Sequence, residues 1–408
     1  MSIFVARQPI FDRSNSVIGY ELLYRRDESR LTAEGTDANT MSARVITNAF
    51  LGVGITELTG GVPGFVNFTR EQLVEGLYEL FDPNEVVVEL LETVHCDDDT
   101  LRACEAMHAA GYRFALDDFV YDPSFDPLLT LASIVKLDVL GRDESDVRHQ
   151  ISKLGAFKGR LLAERVETVD VHRSCSTLGF QLFQGYFYAR PETVAKEDLE
   201  AGQLTILRLL SLLRDGETSD AQIEIVLRAE AALCYKLLRM ANSAAIGVQG
   251  VESIKHALRM VGRTALHRWL SIMLAGSFVS QGGTNKELGL TALVRGRLCE
   301  IIARRSTKRL APDPLFMVGI LSQMDAMMRV PMDRVLSLVE VSADVRGALI
   351  GRTGPLGDAL LLVEAYEQGR WEDVNRLALL VGADAQSVPS CYFDALNWAR
   401  IQLRIAAP

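Results

Sequence analysis

Short apolar runs alternate with amphipathic stretches of helical length from residue 1 to about residue 195. The runs are rich in β-branched and aromatic residues, and this alternation is typical of repeated β-α units. Eight strands are predicted at Phe4–Arg7, Gly19–Tyr24, Gly64–Phe68, Val86–Leu90, Arg113–Asp117, Ile134–Asp138, Leu161–Arg165 and Phe180–Gln184. Because eight such units close into a ring, the first half predicts an α/β fold, a TIM-like (β/α)8 barrel.

After this region the pattern changes to apolar residues at the spacing of packed helices, with few strand-like runs. Residues 204–213 predict a first helix, which Gly216 ends, and either Thr218 or Ser219 is expected to cap the next helix. The acidic stretch before Gly202 has no strand pattern and separates the two halves. We therefore predict a barrel domain at 1–195, a linker at 196–203 and an all-α helical domain at 204–408.

Six polar residues recur in the first half, most of them directly after an apolar run. They are Asn67, Glu89, Asp117, Lys136, Glu164 and Gln184, at steps of 22, 28, 19, 28 and 20 residues. Each step is about the length of a strand, a helix and their loops. Because a barrel gathers its active site at the C-terminal ends of its strands, we predict that all six lie around one mouth.

Three of the carboxylates in this half, those of Glu89, Asp117 and Asp118, follow apolar runs. Burying them near one another costs free energy unless cations neutralise them. Oxygen ligands of this kind suit Mg²⁺ or Mn²⁺, and Glu21 and the amide oxygen of Asn67 could complete the coordination shell. Two such ions would be suited to clamp a phosphodiester.

Lys136 and Glu164 are then candidates for handling the attacking water, Lys136 as a cation and Glu164 as a general base. The simpler alternative is that each carboxylate merely ends a strand at a solvent-facing loop. That alternative suits any single residue, but strand ends do not require this ordered mixture of acids, amides and a lysine.

Composition and charge narrow the classes of function. The chain has 408 residues and a formal net charge of −10, which argues against general binding to a nucleic acid polymer or an anionic membrane. Its six cysteines are scattered without metal-site spacing, so we expect reduced thiols. No stretch approaches the roughly 20 apolar residues of a membrane span, and a cytoplasmic location is expected.

Seven segments follow one another in the first half: Tyr20–Arg25, Val66–Phe68, Val88–Glu92, Asp117–Phe119, Val135–Asp138, Ala163–Thr168 and Gln184–Tyr186. In this order they resemble the motifs of EAL domains, which are TIM-barrel phosphodiesterases that linearise the bacterial second messenger cyclic di-GMP. The resemblance covers about residues 1 to 195.

This resemblance implies roles for individual residues. The implied metal ligands are Glu21, Asn67, Glu89, Asp117 and Asp118. Lys136 and Glu164 fall at the positions that handle the water. Arg25 matches a phosphate-binding arginine, Gln184 matches a residue at the active-site mouth, and Glu167 matches the glutamate that anchors the loop after the Asp-Asp pair.

The chain departs from the EAL pattern at three places. Leu22 replaces the alanine of the name-giving triplet, and its larger side chain could crowd the position of Glu21. Residues Val120–Pro127 replace a glycine-rich loop, and their two prolines predict a stiffer segment. Arg165 replaces a glycine directly after Glu164, and its cation could either rewire the loop anchor at Glu167 or pair with a nearby carboxylate.

In the second half, Leu237–Gly247 and the segments that follow it resemble HDOD domains, helical relatives of the HD phosphohydrolases. Ser322 and Gln323 stand where the metal-binding His-Asp pair of an HD enzyme is expected, so a regulatory or scaffolding module is predicted rather than a hydrolase. Asp313, between two prolines, is predicted to lie in a loop. Together the halves resemble the YuxH-type EAL–HDOD architecture of bacterial signalling proteins.

Two hypotheses follow from these resemblances. The first is a metal-dependent phosphodiesterase that opens cyclic di-GMP to linear pGpG under control of a non-catalytic HDOD domain. The second is a catalytically degenerate protein that acts as a nucleotide sensor or as a protein-interaction scaffold. Both imply an unknown protein partner for the HDOD domain. EAL-like barrels often dimerise through helices near the loop that is replaced here, so the resemblance implies a possible homodimer, while the altered loop leaves a monomer open.

Overall fold

A computed structural model of the protein describes residues 3–26, 54–155, 157–189, 201–214, 218–228, 230–241, 253–279, 283–339 and 341–406. The chain divides into two compact units. Unit 1 comprises Met1–Arg190 and Ala365–Trp371, and unit 2 comprises Pro191–Glu364 and Glu372–Pro408. The predicted linker at 196–203 lies mainly outside the described residues, and its last three residues belong to a helix.

Unit 1 is a closed barrel of eight strands in sequential order, which confirms the predicted fold class. The strands are β1 Ile3–Asp12, β2 Val17–Arg26, β3 Gly64–Phe68, β4 Val86–Leu90, β5 Arg113–Leu116, β6 Ile134–Asp138, β7 Arg160–Glu164 and β8 Leu182–Gln184. Neighbouring strands from β2 to β8 are parallel. Strand β4, Val-Val-Val-Glu-Leu, is buried along its whole length, as expected where both faces of a sheet are covered.

The first strand departs from the predicted β-α repeat. β1 pairs antiparallel with both β2 and β8, and a tight turn joins β1 to β2 in place of a helix. Asp12 Oδ1 accepts hydrogen bonds from the N–H groups of Ser14 at 2.8 Å and Ser16 at 2.9 Å, while Asn15 adopts a φ of 60°. Short polar side chains stabilise such turns. The prediction of eight equivalent β-α repeats is therefore wrong for the first repeat, that of β1.

Helices α1 to α6 of unit 1 follow the parallel strands. They are α1 Ile55–Thr59, α2 Arg70–Val74, α3 Asp98–Ala109, α4 Asp126–Leu131, α5 Glu144–Lys153 and α6 Val169–Leu178. Their ends are determined by local chemistry. The Asp97 side chain accepts from Thr100 N–H to cap α3, Thr168 caps α6 in the same way, and Gly179 ends α6 in the left-handed conformation.

One short segment from late in the chain completes unit 1. Tyr366 is fully buried, and its hydroxyl donates a hydrogen bond to the carbonyl oxygen of Val5 on β1 at 2.8 Å. The ring of Tyr366 also meets Trp371 edge to face, with centroids 5.5 Å apart. The prediction that unit 1 ends near residue 195 did not foresee this contribution.

Every regular element that the structure describes in unit 2 is a helix, which confirms the predicted all-α class. Its helices are α7 Ala201–Arg214, α8 Asp220–Arg228, α9 Ala231–Ala241, α10 Ile254–Val261, α11 Arg263–Val279, α12 Gly283–Arg305, α13 Pro312–Leu321, α14 Met324–Met328, α15 Met332–Leu338, α16 Ala343–Gly351, α17 Gly354–Glu367, α18 Trp371–Val381 and α19 Val388–Ala406. The end of α17 and the start of α18 belong to unit 1.

Several local predictions for unit 2 can be compared with these helices. Of the two candidate caps for α8, Ser219 is the one used, because its Oγ accepts from Gln222 N–H at 3.4 Å. Gly216 lies outside the described residues. Asp313 does not lie in a loop: it belongs to the first turn of α13, where Pro312 fits because its missing N–H would have no helical partner.

Glycines allow the central helices of unit 2 to approach closely. A Cβ at Gly319 of α13 would meet the backbone of Arg295 and Gly296 on α12 at 2.5 Å, so only glycine fits at this crossing. Both helices are largely buried there. Among the described helices, none combines the length and the apolar character that a membrane-spanning segment requires.

Candidate active site

The barrel interior contains an apolar layer and a polar layer next to it. The apolar layer consists of Ile10, Phe65, Val87, Ala115, Ile134, Leu162 and Leu182. Two positions later on the parallel strands, or just past their ends, come Asn67, Glu89, Asp117, Lys136, Glu164 and Gln184. Side chains at positions i and i+2 face the same side of a strand. The barrel therefore brings all six predicted polar residues to its mouth.

The ammonium group of Lys136 lies among four carboxylates. Its Nζ is 2.6 Å from Asp117 Oδ1, 2.7 Å from Glu89 Oε1, 3.0 Å from Glu164 Oε1 and 3.4 Å from Glu21 Oε2. The side chains of Lys136 and Glu89 are fully buried. Among the described side chains, one cation thus faces four acidic groups in a region that water reaches poorly.

The pKa values of this cluster reflect burial and a shortage of positive charge. Burial raises the pKa of Glu89 well above its usual value, raises that of Asp117, and raises that of Glu164 to about 7, each against the lowering effect of Lys136. Burial lowers the pKa of Lys136, but the surrounding carboxylates raise it by more, so it lies well above its usual value. Lys136 is therefore charged, and the cluster favours a further positive charge.

Amide side chains fix the orientation of Glu21. Gln184 Nε2 donates to Glu21 Oε2 at 2.5 Å and to Gln8 Oε1 at 3.0 Å, and Asn67 Nδ2 lies 3.5 Å from Glu21 Oε1. Gln8 was not among the predicted site residues. Because β1 runs antiparallel, its polar residue comes two positions before the apolar Ile10 rather than two positions after it.

The chemistry of the polar layer fits a hard divalent cation. Glu89 Oε2 and Glu164 Oε2 are buried, and neither accepts a hydrogen bond from any described residue. Oxygen donors of this type, with an excess of negative charge, are those that Mg²⁺ and Mn²⁺ prefer. Within the described ranges, however, no three Asp, Glu, His or Cys side chains are already arranged around an ion position. The carboxylates close on Lys136 instead.

Asp118 has a different environment from the other acidic residues. It follows Asp117 with a φ of 41°, and its side chain is 49% exposed. Its Oδ1 lies 3.5 Å from the guanidinium of Arg165, which also contacts Asp138 Oδ2 at 2.7 Å. The structure therefore places the predicted ligand Asp118 at the rim of the cluster, next to a cation. The sequence left open a pairing of Arg165 with a nearby carboxylate, and the structure identifies its partners as Asp118 and Asp138.

Leu22 does not crowd Glu21. Neighbouring residues of a strand point to opposite faces, and Leu22 is fully buried on the outer side of β2. Its Cδ1 lies 3.0 Å from where a Cβ on Gly64 would stand. The larger side chain therefore fills space beneath Gly64 and Ile55, and the predicted crowding is wrong.

The loop that replaces the glycine-rich segment is compact. Asp122 Oδ1 accepts from Ser124 N–H at 2.9 Å and caps a short 3₁₀ turn, Pro123–Phe125, which leads into α4. Phe119 and Phe125 meet edge to face with centroids 5.5 Å apart. A cavity of about 250 Å³ lies beneath them, lined mainly by apolar residues and bordered by Asp117 and Asp118.

Two further predicted site residues are only partly placed. Arg25 lies on β2 opposite Phe4, but its side chain is outside the described part of the structure. Glu167 lies in the loop between β7 and α6 and is partly buried. Their implied roles in phosphate binding and loop anchoring remain predictions.

In unit 2, Ser322 and Gln323 hold an arginine. Arg295 donates to Ser322 Oγ at 3.1 Å. With its amide oxygen turned towards Arg295, Gln323 accepts from the same guanidinium at 2.6 Å. Arg295 also lies 3.4 Å from Glu364. All three of Arg295, Ser322 and Gln323 are buried. The place of the His-Asp pair is therefore taken by neutral side chains around a fixed cation.

Together, the sequential barrel with an antiparallel first strand, the lysine among carboxylates and the helical unit define a protein of the EAL–HDOD class. Residues 203–342 match the HDOD domain family. The chain is 30% identical over 405 residues to the uncharacterized protein YuxH of Bacillus subtilis (strain 168), covering 98% of each. It is 31% identical over 402 residues to the cyclic di-GMP phosphodiesterase CdgJ of Vibrio cholerae serotype O1, covering 97% of this chain and 92% of that protein. The chain belongs to this EAL–HDOD family.

A likeness to solved structures is also found. The Klebsiella pneumoniae protein BlrP1, in a complex with calcium and cyclic di-GMP, is 24% identical with a TM-score of 0.39, covering 47% of this chain and 56% of that chain.

Proposed function

We propose that the barrel is a phosphodiesterase that uses Mg²⁺ or Mn²⁺ to hydrolyse cyclic di-GMP to linear pGpG, and that the helical unit regulates it without catalysing a reaction. The observation that carries the proposal is the buried cluster of four carboxylates around Lys136, with acceptor oxygens that no described residue satisfies. The relative CdgJ, named as a cyclic di-GMP phosphodiesterase, supports the choice of substrate.

The proposed metal ligands are Glu21, Asn67, Glu89, Asp117 and Asp118. A divalent ion bound by them would polarise a phosphoryl oxygen and lower the pKa of a bound water. These residues need no large change of backbone to serve, because neighbouring parallel strands already hold Asn67 opposite Glu89.

Lys136 and Glu164 supply the remaining chemistry from the chain itself. Lys136 remains charged and holds the carboxylates together at distances of 2.6 to 3.4 Å. Glu164, with a pKa of about 7, can accept the proton of the attacking water near neutral pH. Gln184 fixes Glu21 from the opposite side.

We propose that the helical unit is a binding module. Its buried polar centre holds Arg295 with Ser322 and Gln323, so the donors that would bind a catalytic metal in an HD enzyme are replaced. We propose that residues 204–408 act through a protein partner, and that the barrel, predicted at 1–195, forms a homodimer in the cytoplasm.

The test is turnover of cyclic di-GMP by the full chain with Mn²⁺ or Mg²⁺, with the product identified by chromatography. Glu164→Gln is expected to lower turnover by about 10²- to 10⁴-fold. It should leave binding of the nucleotide in Ca²⁺ nearly unchanged, as measured by calorimetry. Glu21→Gln should abolish turnover, because it removes a proposed metal ligand.

Glu85→Gln is the matched control. Glu85 is exposed at the start of β4, away from the mouth, and its Oε1 accepts from Thr56 Oγ1 at 2.6 Å. An amide oxygen can keep that bond, so turnover should match the unsubstituted protein. Equal turnover in Glu164→Gln and Glu85→Gln would contradict the proposal.

A second candidate is favoured by the pairing of Asp118 with Arg165, which engages a proposed metal ligand. In that case the barrel senses nucleotide or serves as a scaffold. Binding of cyclic di-GMP in Ca²⁺ without turnover in Mn²⁺ or Mg²⁺ would establish a sensor. Absence of both binding and turnover would favour a scaffold.

A further inference from the structure

Arg165 occupies a backbone conformation that suits glycine. It has a φ of 55°, in the left-handed region, directly after the end of β7 at Glu164. A residue with a Cβ is sterically disfavoured in this conformation. A glycine, which the EAL pattern has at this position, would avoid that cost, so the presence of arginine calls for a reason.

The backbone around Arg165 is held firmly in place. Val166 N–H donates to the carbonyl oxygen of Gln184 at 2.9 Å, and Val166 accepts from Phe187 N–H at 3.0 Å. Gly185 packs so closely against Val166 that an added Cβ would overlap its backbone. Strain at one residue persists where its neighbours determine the conformation in this way. The start of the Arg165 side chain is therefore fixed at the rim of the mouth.

The guanidinium of Arg165 is held between two carboxylates. Asp138 Oδ2 contacts it at 2.7 Å, while Asp138 Oδ1 accepts from Leu140 N–H at 2.9 Å, so Asp138 is itself held in place. Asp118 Oδ1 lies further away, at 3.5 Å. The stronger contact with Asp138 acts as a tether, and the weaker contact with Asp118 is the one that can be given up.

The position of Asp118 is equally constrained. Asp117 N–H donates to Leu90 O at 3.0 Å, and Phe119 N–H donates to Lys136 O at 3.0 Å, so the backbone is hydrogen-bonded to neighbouring strands at the residues before and after Asp118. The Asp118 carboxylate therefore cannot move far from the tethered guanidinium. A cation bound by Asp118 would remain close to the charge of Arg165.

We propose that Arg165 lowers the affinity of this site for a divalent cation, by neutralising Asp118 in the metal-free protein and by repelling the ion that replaces it. The inference rests on the proposed function, in which Asp118 is a metal ligand. Arg165 and Asp118 are 54% and 49% exposed, so solvent screens this interaction in part. A unit charge beside a divalent ion in such surroundings changes affinity by about tenfold.

The experiment measures Mn²⁺ binding to the full chain by calorimetry, without nucleotide. Arg165→Ala removes the guanidinium but keeps a Cβ, and hence the backbone strain, whereas Arg165→Gly removes both. Both variants are expected to bind Mn²⁺ about tenfold more tightly than the unsubstituted protein. Arg148→Ala is the control for net charge, because Arg148 is 65% exposed on α5 and forms its ion pair with Glu144 of the same helix. Its affinity should not change.

The outcomes separate this inference from the proposed function. If the unsubstituted protein binds Mn²⁺ and Arg165→Ala binds it with equal or lower affinity, the inference is wrong while the proposed function stands. If Arg148→Ala gains as much as Arg165→Ala, only net charge matters and the inference is again wrong. If neither the unsubstituted protein nor Arg165→Ala binds Mn²⁺, both proposals are wrong. Binding that appears only after removal of Arg165 would support the inference most strongly.

Discussion

The ammonium of Lys136 lies 2.6 Å from the Asp117 carboxylate, at the junction of two neighbouring strands of the barrel. Three more carboxylates lie within 3.4 Å of the same nitrogen. A buried acid is stable only when it is protonated or compensated, and one lysine cannot fully compensate four acids. The cluster is therefore stabilised by Lys136 and remains receptive to a further cation.

Replacing Lys136 by methionine should show this dependence. Lys136→Met leaves buried carboxylates without their cation, and we expect the free energy of unfolding to fall by about 3–5 kcal/mol. Added Mn²⁺ should restore more stability to Lys136→Met than it adds to the unsubstituted protein, because the ion supplies the missing charge. Calorimetric unfolding with and without Mn²⁺ measures both effects. Lys153→Met, at an exposed position of α5, should change neither the stability without Mn²⁺ nor the gain in stability with Mn²⁺. Equal responses of Lys136→Met and Lys153→Met would contradict the role of Lys136 as the stabilising cation.

Glu164 should make the metal-free protein less stable as the pH rises towards neutrality. Burial raises its pKa in the folded state from 4.5 to about 7, so between these values the folded state binds more protons than the unfolded state. The free energy of unfolding then decreases with pH across this window, by up to about 1.4 kcal/mol per pH unit. Glu164→Gln should reduce the slope between pH 4.5 and 7, and the slope that remains would come from Glu89 and Asp117, whose pKa values burial also raises.

Unfolding titrations in the presence of a chelator measure this slope. The matched control is Glu144→Gln, whose carboxylate is exposed and pairs with Arg148. It should keep the slope of the unsubstituted protein. An unchanged slope in Glu164→Gln would mean that Glu164 has an ordinary pKa in the fold.

The barrel and most of its polar layer could be predicted because strand periodicity determines both. Apolar residues such as Val87 and Ala115, each two positions before an acid, mark the inner face of their strands. The role of Gln8 could not be found by the same rule, because β1 runs in the opposite direction. The turn residues Asp12 to Ser16 carried the missing signal for that reversal.

Other features depend on contacts that have no local pattern. The hydrogen bond from Tyr366 to Val5 joins residues 361 positions apart in the chain. Likewise, the proximity of Arg165 to Asp138 arises from the register of β6 against β7, which pairs Asp138 with Glu164. Periodicity predicts which face of a strand each side chain lies on, but it does not predict which distant residue that side chain will contact.

Gly185 and Gly179 offer a test of the close packing at the end of β8. Both glycines have a positive φ, of 142° and 107°, so alanine is strained at either position. At Gly179 a Cβ would meet nothing within 4 Å, whereas at Gly185 it would overlap the backbone of Val166. Gly179→Ala should cost only about 1–2 kcal/mol in the free energy of unfolding, and Gly185→Ala should cost clearly more.

The comparison uses denaturant unfolding of the two variants side by side. If Gly185→Ala fails to fold, its yield of soluble protein relative to Gly179→Ala gives the same ranking. Equal stability of the two variants would show that β7 and β8 separate readily. In that case the backbone of Arg165 would not be fixed as the structure indicates.

Glu300 should be required for the packing of the helical unit. Its buried carboxylate on α12 accepts hydrogen bonds from Arg268 at 2.6 Å, Arg297 at 2.7 Å and Arg304 at 2.9 Å. Burial raises the pKa of Glu300, but the three arginines lower it by more, to about 2. Glu300→Gln would leave three guanidinium groups facing one another without a negative charge. We expect the free energy of unfolding to fall by about 3 kcal/mol at neutral pH. This is at the low end for a broken buried ion pair, because the arginines are partly exposed.

The pH dependence distinguishes this effect from a general loss of packing. A carboxylate whose pKa is lowered on folding stabilises the fold above its unfolded pKa of about 4.5, and that contribution is lost as the pH falls towards 2. The difference between Glu300→Gln and the unsubstituted protein should therefore shrink below about pH 4.5 in calorimetric unfolding. Asp333→Asn is the control, because Asp333 is 74% exposed and pairs with Arg346 at the surface. It should lower the free energy of unfolding by less than about 1 kcal/mol at any pH. A loss in Glu300→Gln that stays constant down to pH 2 would show that shape, and not charge, is what Glu300 contributes.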